Sequence, residues 1–359
     1  MSKHLYFGAR RLGLGASTAL AVGLASVGGV GVAGAAAPVS AAPTVSTTVA
    51  NNTLTITGTN GPDVVALRPD ATDPATLVVA LGTTGSVERH FDSRTFTSIS
   101  VFLRGGNDQF SEEPGAFADK ALMVDGGSGA DQITGGSGND VIVGSGGNDT
   151  LNGGAGDDLI VAGRGNDTVA GDEGHDTALL GSGRDSFSWD PGDGSDVVDG
   201  QGGVDTLEFI GSNGAETMSL SPNGPGATFL RDLGGIRMDL THIEALHLDA
   251  LGGADNLTVG DMTGTSFRRA DIDLSNAGSG DGAADVVTVN GSPRADRVRV
   301  AASGTRADVT GLRTATHITG ADTMDRLQVN TLGGNDRVAV HRAADAQLGV
   351  AVDLGSNQP

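Results

Sequence analysis

Cysteine is absent from the 359 residues, which excludes disulfides, thiolate nucleophiles and zinc sites of the cysteine type. Lysine occurs only at Lys3 and Lys120, so the positive charge is almost wholly arginine. Aromatic residues make up 3% of the chain. With so few large side chains a thick core cannot be filled, and the choice is between disorder and a thin repetitive architecture. Basic residues are outnumbered, 22 against 44 acidic ones, for a net charge of −22. Such a chain repels phosphates, so no nucleic-acid partner is expected, while a hard cation suits it. No segment reads as a long helix. After the first forty residues no apolar run is long enough to cross a membrane.

Catalytic signatures are lacking too. There is no H-E-x-x-H motif, no G-x-S-x-G elbow and no phosphate-binding loop with lysine. His242, Glu244 and His247 lie close together in THIEALHLDA, but at the wrong spacing for two ligands and a base. Alternation there predicts a strand with His242 and Glu244 on one face and His247 on the other. His175 falls inside a repeat and is expected to face solvent. Carboxylates are abundant, so counting alone does not exclude a glycosidase-like pair, but their regular spacing assigns nearly all of them elsewhere. The expectation is a protein that is not an enzyme. The alternative is an exported hydrolase or lyase in which the regularly spaced carboxylates belong to a folding stalk that depends on a bound cation.

The beginning of the chain has the composition of an export leader. Lys3, Arg10 and Arg11 precede an uncharged, glycine- and alanine-rich stretch at residues 12–34. Small residues for cleavage follow at Ala35, Ala36 and Ala37. A cleaved signal peptide over residues 1–37 is expected rather than a retained anchor, with secretion by the general route. Its removal takes the charge from −22 to −25, because the leader carries three positive and no negative residues. Residues 38–52, rich in Pro, Ala, Ser and Thr, read as a flexible linker.

What the sequence has in excess is glycine, 59 residues, and it is placed in phase with aspartate. From Gly126 the chain reads GGSGADQIT, GGSGNDVIV, GSGGNDTLN, GGAGDDLIV, AGRGNDTVA, GDEGHDTAL and LGSGRDSFS, seven contiguous nine-residue units. Trp189 and Asp190 interrupt them, and PGDGSDVVD and GQGGVDTLE follow. Position four is always glycine: Gly129, Gly138, Gly147, Gly156, Gly165, Gly174, Gly183, Gly194 and Gly203. Position six is always aspartate: Asp131, Asp140, Asp149, Asp158, Asp167, Asp176, Asp185, Asp196 and Asp205. Position eight is always apolar, from Ile133 to Leu207. Linkers do not keep such a phase.

Calcium takes six to eight oxygen ligands in flexible geometry. One aspartate per turn cannot supply them, but a glycine turn that aims its carbonyls inward can supply most of the rest. Glycine at positions one, two and four is expected to allow backbone angles closed to other residues. On that reading Gly126, Gly135, Gly144 and Gly153 at position one join Gly129, Gly138, Gly147, Gly156 and Gly165 at position four, and the nine aspartates close the shells. Positions seven to nine form a short strand, with the position-eight side chain in the core. Two units make one coil, so units i and i+2 stack at the strand spacing of about 4.8 Å. Asp131 then meets Asp149, Asp140 meets Asp158, Asp149 meets Asp167, Asp158 meets Asp176 and Asp167 meets Asp185. Seven units in phase give about five sites by this rule.

GGSGADQIT and GGSGNDVIV resemble the repeats-in-toxin nonapeptide, the haemolysin-type calcium-binding repeat. The resemblance covers residues 126–208 closely. It implies an all-β fold, a right-handed parallel β-roll with calcium ions in both rows of turns. The pattern departs at Ser145, Asp172 and Gln201 for the second glycine, and at Ala162, Leu180 and Pro191 for the first.

A weaker repeat flanks the block. GTNGPDVVAL, GSNGAETMSL and GSPRADRVRV share one pattern, and each is followed by a second signature, FLRGGNDQF, ALGGADNLTV and TLGGNDRVAV. The expected organisation is therefore a β-rich module at 53–125, the nonapeptide roll at 126–208, and further β-rich modules at 209–290 and 291–359. The expected partners are calcium ions and a cell-surface or matrix component.

Overall fold

The computed structural model describes residues 44–82 and 87–355. The expected leader lies outside them. The later part of the expected linker does not conform to that expectation: Ser46–Ala50 is a strand, paired antiparallel with Thr53–Thr57. Asn51 and Asn52, at φ +52° and +63°, make the two-residue turn between them. That turn needs positive φ at both centres, which asparagine accepts more readily than most residues.

In the nonapeptide block the chain winds between two parallel sheets. Strands Ala121–Ser128, Val141–Gly146, Leu159–Arg164, Thr177–Gly183 and Val197–Asp199 are neighbours in one sheet. Strands Gln132–Ser137, Thr150–Ala155, Thr168–Glu173, Ser186–Trp189 and Thr206–Ser212 are neighbours in the other. Partners sit two units apart, as Ile142 with Ile160 and Leu151 with Val169. The register survives the insertion at Trp189, because Ala178 still pairs with Val198 and Phe187 with Leu207. The fold is the expected β-roll architecture.

Alternation fills the space between the sheets. Positions six, eight and one of each unit face inward and positions seven and nine face outward. Ile133, Ile142, Leu151, Ile160, Val169, Ala178, Phe187, Val198 and Leu207 are all buried. So are Ala162 and Leu180 at position one. The core is thus one side chain deep per strand, which is why so few aromatics suffice.

Strands are longer than the expected three residues. Gln132–Ser137 and its neighbours run six residues, from position seven to position three of the next unit. Pairing skips position one: Val143 pairs with Val161 and Ser145 with Gly163, with no rung between. The skipped residue tips into the core. Position one therefore does not require the left-handed backbone expected of it. Positions two and four do, except at Gly136 and Gly194. At position two φ is +95° at Gly127 and +105° at Gly154, and Ser145, Asp172 and Gln201 adopt +74°, +63° and +59°. At position four Gly147 is at +149° and Gly165 at +141°.

The flanking modules join the same two sheets, which run from one end of residues 44–355 to the other. Their coils are not all parallel. Each module contains a three-strand antiparallel meander: Val64–Pro69, Thr76–Leu81 and Val87–Asp92; Thr217–Asn223, Gly226–Arg231 and Ile236–Thr241; Arg297–Ser303, Arg306–Thr310 and Ala315–Thr319. Gly224 at φ +62° and Gly304 at +54° start the tight turns of the second and third.

Candidate metal centres along the turns

The position-six aspartates stand at the start of each strand and point inward, 0–3% exposed. They form two rows, one at the edge of each sheet. In the first row the backbone N–H of each acid donates to the carboxylate of the acid one coil later. Asp131 donates to Asp149 Oδ1 at 2.9 Å, Asp149 to Asp167 at 2.8 Å, Asp167 to Asp185 at 2.8 Å and Asp185 to Asp205 at 3.0 Å. In the second row Asp140 donates to Asp158 at 2.8 Å, Asp158 to Asp176 at 2.8 Å and Asp176 to Asp196 at 3.0 Å. All five expected pairings are present, and two more run past the insertion.

The first row is longer than the nonapeptides. Asp63 N–H donates to Asp108 Oδ1 at 2.7 Å, and Asp108 N–H to Asp131 Oδ1 at 2.8 Å. At the other end Asp205 N–H donates to Glu244 Oε2 at 2.9 Å. Glu244 is therefore a turn residue of the row, not a strand-face residue beside His242. His242 itself sits at φ +52°, exposed, with Nδ1 2.8 Å from Asp199 Oδ1. His175 is exposed, as expected.

The ladder uses one oxygen of each carboxylate except that of Asp140, which heads its row. The Oδ2 atoms of Asp131, Asp149, Asp158, Asp167, Asp176, Asp185, Asp196 and Asp205 are buried with no hydrogen-bond partner. Asp140 differs, because Gly136 N–H donates to its Oδ2 at 3.2 Å. A buried, unpartnered carboxylate oxygen is costly and calls for a compensating charge. Where position one is glycine, the Oδ2 faces it across its own turn. A Cβ added to Gly126 would lie 2.5 Å from Asp131 Oδ2, one on Gly135 2.8 Å from Asp140 Oδ2, and one on Gly144 2.6 Å from Asp149 Oδ2; one on Gly153 would overlap Asp158 Oδ2. Glycine at position one thus leaves room around the carboxylate.

Position-four glycines do something else. A Cβ on Gly147 would overlap the carbonyl of Gly129, and one on Gly165 that of Gly147; Gly129 and Gly156 meet the carbonyls of Gly106 and Gly138 in the same way. These carbonyls stack from coil to coil. Among the described residues no backbone N–H bonds the carbonyls of Gly129, Gly138, Gly147, Gly156 or Gly165, whereas position-three carbonyls such as Gly146 and Ala155 are bonded at 2.9 Å and 2.6 Å. The turns that end at Asp131, Asp149, Asp158 and Asp167 therefore each hold one half-used carboxylate and a position-four carbonyl with no backbone donor. That donor set is all oxygen, as calcium requires. Among the described residues no three His, Asp or Glu side chains converge on a metal position, so carbonyls have to complete any shell.

The charge state of the bare rows follows from burial. Desolvation pushes Asp149 and Asp140 up to about 7, Asp158, Asp196 and Asp205 to about 6, and Asp176 to about 8. Asp131, Asp167 and Asp185 are raised for the same reason. Ladder N–H groups oppose the rise in part, and neighbouring carboxylates add to it. Glu112, buried beside Asp140, is also pushed up to about 7 by burial and then by Asp140. Two unit charges about 4.8 Å apart repel by about 3 kcal/mol at an effective dielectric near 20. A row of ionised carboxylates at coil spacing is unstable alone and stable around cations.

Residues outside the nonapeptide phase escaped the sequence reading. Asp63, Asp108, Glu216, Asp255, Asp285, Asp325, Asp296 and Asp336 make the same N–H to carboxylate contacts. The available signal was the GGND and GGAD of the second signatures, which match positions three to six of a nonapeptide. A second ladder runs on the outside at position five. Asn148 Oδ1 accepts from Asn166 N–H at 2.8 Å, Asn166 Oδ1 from Arg184 N–H at 2.8 Å, and Asn139 Oδ1 from Asp157 N–H at 3.0 Å.

Comparison with known families agrees with this geometry. The model of the RTX calcium-binding nonapeptide repeat, four copies, matches residues 125–160, 152–187 and 192–208. No curated protein matches the chain. The matched stretches are RTX nonapeptide repeats, and such repeats bind calcium ions.

Proposed function

We propose that this chain is a secreted, non-catalytic calcium-binding protein that folds on meeting calcium outside the cell and serves at a surface, in a matrix or in adhesion. The observation that carries this reading is the set of eight buried, unpartnered Oδ2 atoms repeated in register along two rows. The nine position-six aspartates are the side-chain ligands. Gly126, Gly135, Gly144 and Gly153 leave the space that each carboxylate occupies. Gly129, Gly138, Gly147, Gly156 and Gly165 supply carbonyls and close approach between coils. Bound calcium would provide the positive charge that the rows lack. The leader-like composition of residues 1–37, three basic residues before an uncharged glycine- and alanine-rich stretch, supports delivery to a compartment where calcium is plentiful.

Two experiments test the reading. Calcium equilibrium dialysis of the chain from residue 43 onward, compared with Asp149→Asn/Asp158→Asn, asks whether the rows are the ligands. The double variant removes one carboxylate from each row and loses at least two ions; an unchanged count contradicts the ligand assignment. For secretion, the full chain is expressed in a bacterial host and the N-terminus of the exported product is sequenced. Cleavage near residue 37 is expected, and full-length chain held in the cytoplasm counts against export.

A further inference from the structure

Each flanking module repeats an arrangement of two acids. The N–H of the first acid donates to the carboxylate of the second: Asp63 to Asp108 at 2.7 Å, Glu216 to Asp255 at 2.8 Å and Asp296 to Asp336 at 2.8 Å. The two acids have different fates. The first is satisfied by groups of the protein itself. Asp63 Oδ2 accepts from Thr59 N–H at 2.6 Å. Glu216 accepts from Ser212 N–H and Oγ, both at 3.0 Å, and from Arg231 Nε at 2.7 Å. Asp296 accepts from Ser292 N–H at 2.8 Å and Oγ at 2.9 Å. These turns close without an ion.

The second acid is left half-used. The Oδ2 atoms of Asp108, Asp255 and Asp336 are buried and have no partner. Asp108 is 0% exposed and Asp255 1%. Their turns also carry the backbone of the nonapeptide. Arg104 is at φ +78° and Gly106 at +133°, Leu251 at +67° and Gly253 at +121°, at positions equivalent to two and four. A large side chain forced to positive φ is strained, and the strain is tolerated here where the turn shape is needed. Both turns lie outside the stretches that match the repeat family.

We propose that the turns at residues 103–108 and 250–255 are two further divalent-cation sites of the calcium type, with Asp108 and Asp255 as their side-chain ligands. The inference rests on the reading of the nonapeptide aspartates as ligands and extends it to modules built on a different strand plan. The Asp255 site has two more acids beside it. Asp285 Oδ1 accepts from Asp255 N–H at 2.9 Å, and Asp281 Oδ2 accepts from Gly253 N–H at 2.8 Å. Asp108 is the entry to the first nonapeptide row, because its own N–H meets Asp131. Asp336 makes the same contact but is only partly buried, and the proposal stops short of it.

The test counts ions. Equilibrium dialysis against calcium is run on the chain from residue 43 onward, on Asp108→Asn, Asp255→Asn and the double variant, and on Asp63→Asn as a control. Each single variant loses one ion per chain, the double variant loses two, and the control loses none. A double variant that keeps the wild-type count, while the wild type binds calcium, overturns this inference and leaves the nonapeptide sites standing. A wild type that binds no calcium refutes the nonapeptide reading itself. Should a variant fail to fold, hydrogen exchange on the wild type decides. Saturating calcium protects the amides of 251–254 along with those of the nonapeptide turns; protection in the nonapeptides alone overturns the proposal.

Discussion

At the scale of single residues, glycines that look alike in the sequence are held for different reasons. Gly146 and Gly147 are neighbours in one turn. A Cβ on Gly146 would meet nothing within 4 Å, and its φ is not in the left-handed region. Gly147 sits at φ +149° with the Gly129 carbonyl where a Cβ would go. Gly146→Ala is therefore expected to leave calcium-bound stability within about 0.5 kcal/mol of wild type. Gly147→Ala should cost more than about 2 kcal/mol, because it combines backbone strain with overlap. Chemical denaturation of the two calcium-loaded variants checks this. Equal midpoints would mean that the coils are not stacked through position four. The aspartates and the position-eight core residues were legible in the sequence because each is selected in every unit for a side-chain property. The role of position one was misjudged, because a glycine required for space and one required for φ are written with the same letter.

At the scale of elements, the insertion at Trp189 shows how the roll absorbs a lapse in its repeat. The strand Ser186–Trp189 carries the extra residue inward, and Trp189 is 1% exposed. Its ring stacks on Phe209 of the next coil at 4.2 Å with an interplanar angle of 2°, and Phe209 leans on Phe229 of the second module at 4.5 Å. Trp189 Nε1 donates to Gly194 O at 2.8 Å, tying down the loop that the insertion creates. Arg231, paired with Glu216, lies over the indole at 5.1 Å. The aromatic group thus welds the last nonapeptide coils to the module that follows. Trp189→Ala should destabilise the calcium-bound chain by about 3–5 kcal/mol, and Trp189→Phe by clearly less. Similar midpoints for the two variants in denaturant would show that the stack does not join these elements.

The meanders of the modules were the least legible elements. Alternation of apolar and polar residues is the same for a parallel coil and for a hairpin, so pattern alone could not separate them. Asn223-Gly224 and Ser303-Gly304 were the local clues. The acid pairs of the modules escaped for a related reason. Their partners are 45, 39 and 40 residues apart, and a meander of variable length intervenes. In the nonapeptides the distance is a constant 18 until the insertion, so the contact is visible as periodicity.

At the scale of the whole molecule, a chain of net charge −22 folds around a thin core whose interior edge is itself lined with carboxylates. This coupling sets a direction for pH. The folded-state values of the row aspartates are raised above the ordinary 3.8 by burial, to about 7 at Asp140 and Asp149, about 6 at Asp158 and about 8 at Asp176. A carboxylate raised on folding binds more protons in the native state. Its stabilisation is complete below the unfolded value and is lost as pH rises through the folded one. Without calcium the β-fold should therefore be favoured near pH 4 and weaken progressively between about pH 4 and 8. With calcium the dependence reverses, because protons compete with the ion for the same oxygens. Far-ultraviolet circular dichroism against pH, with chelator and with calcium, reads both curves. Calcium-free β-structure that strengthens as pH rises would contradict the assignment of buried, unpaired rows.

The central claim is that calcium binding and folding of the two rows are one event. The most direct test follows Trp189 fluorescence and far-ultraviolet circular dichroism of the chain from residue 43 onward during a calcium titration at pH 7.5, with magnesium in parallel and chelator at the end. The account predicts a chelator-reversible change from disorder to β-structure. It predicts a blue shift of the single tryptophan over the same calcium range, several ions per chain, and little response to magnesium. A β-spectrum already complete in chelator and unmoved by calcium would contradict it.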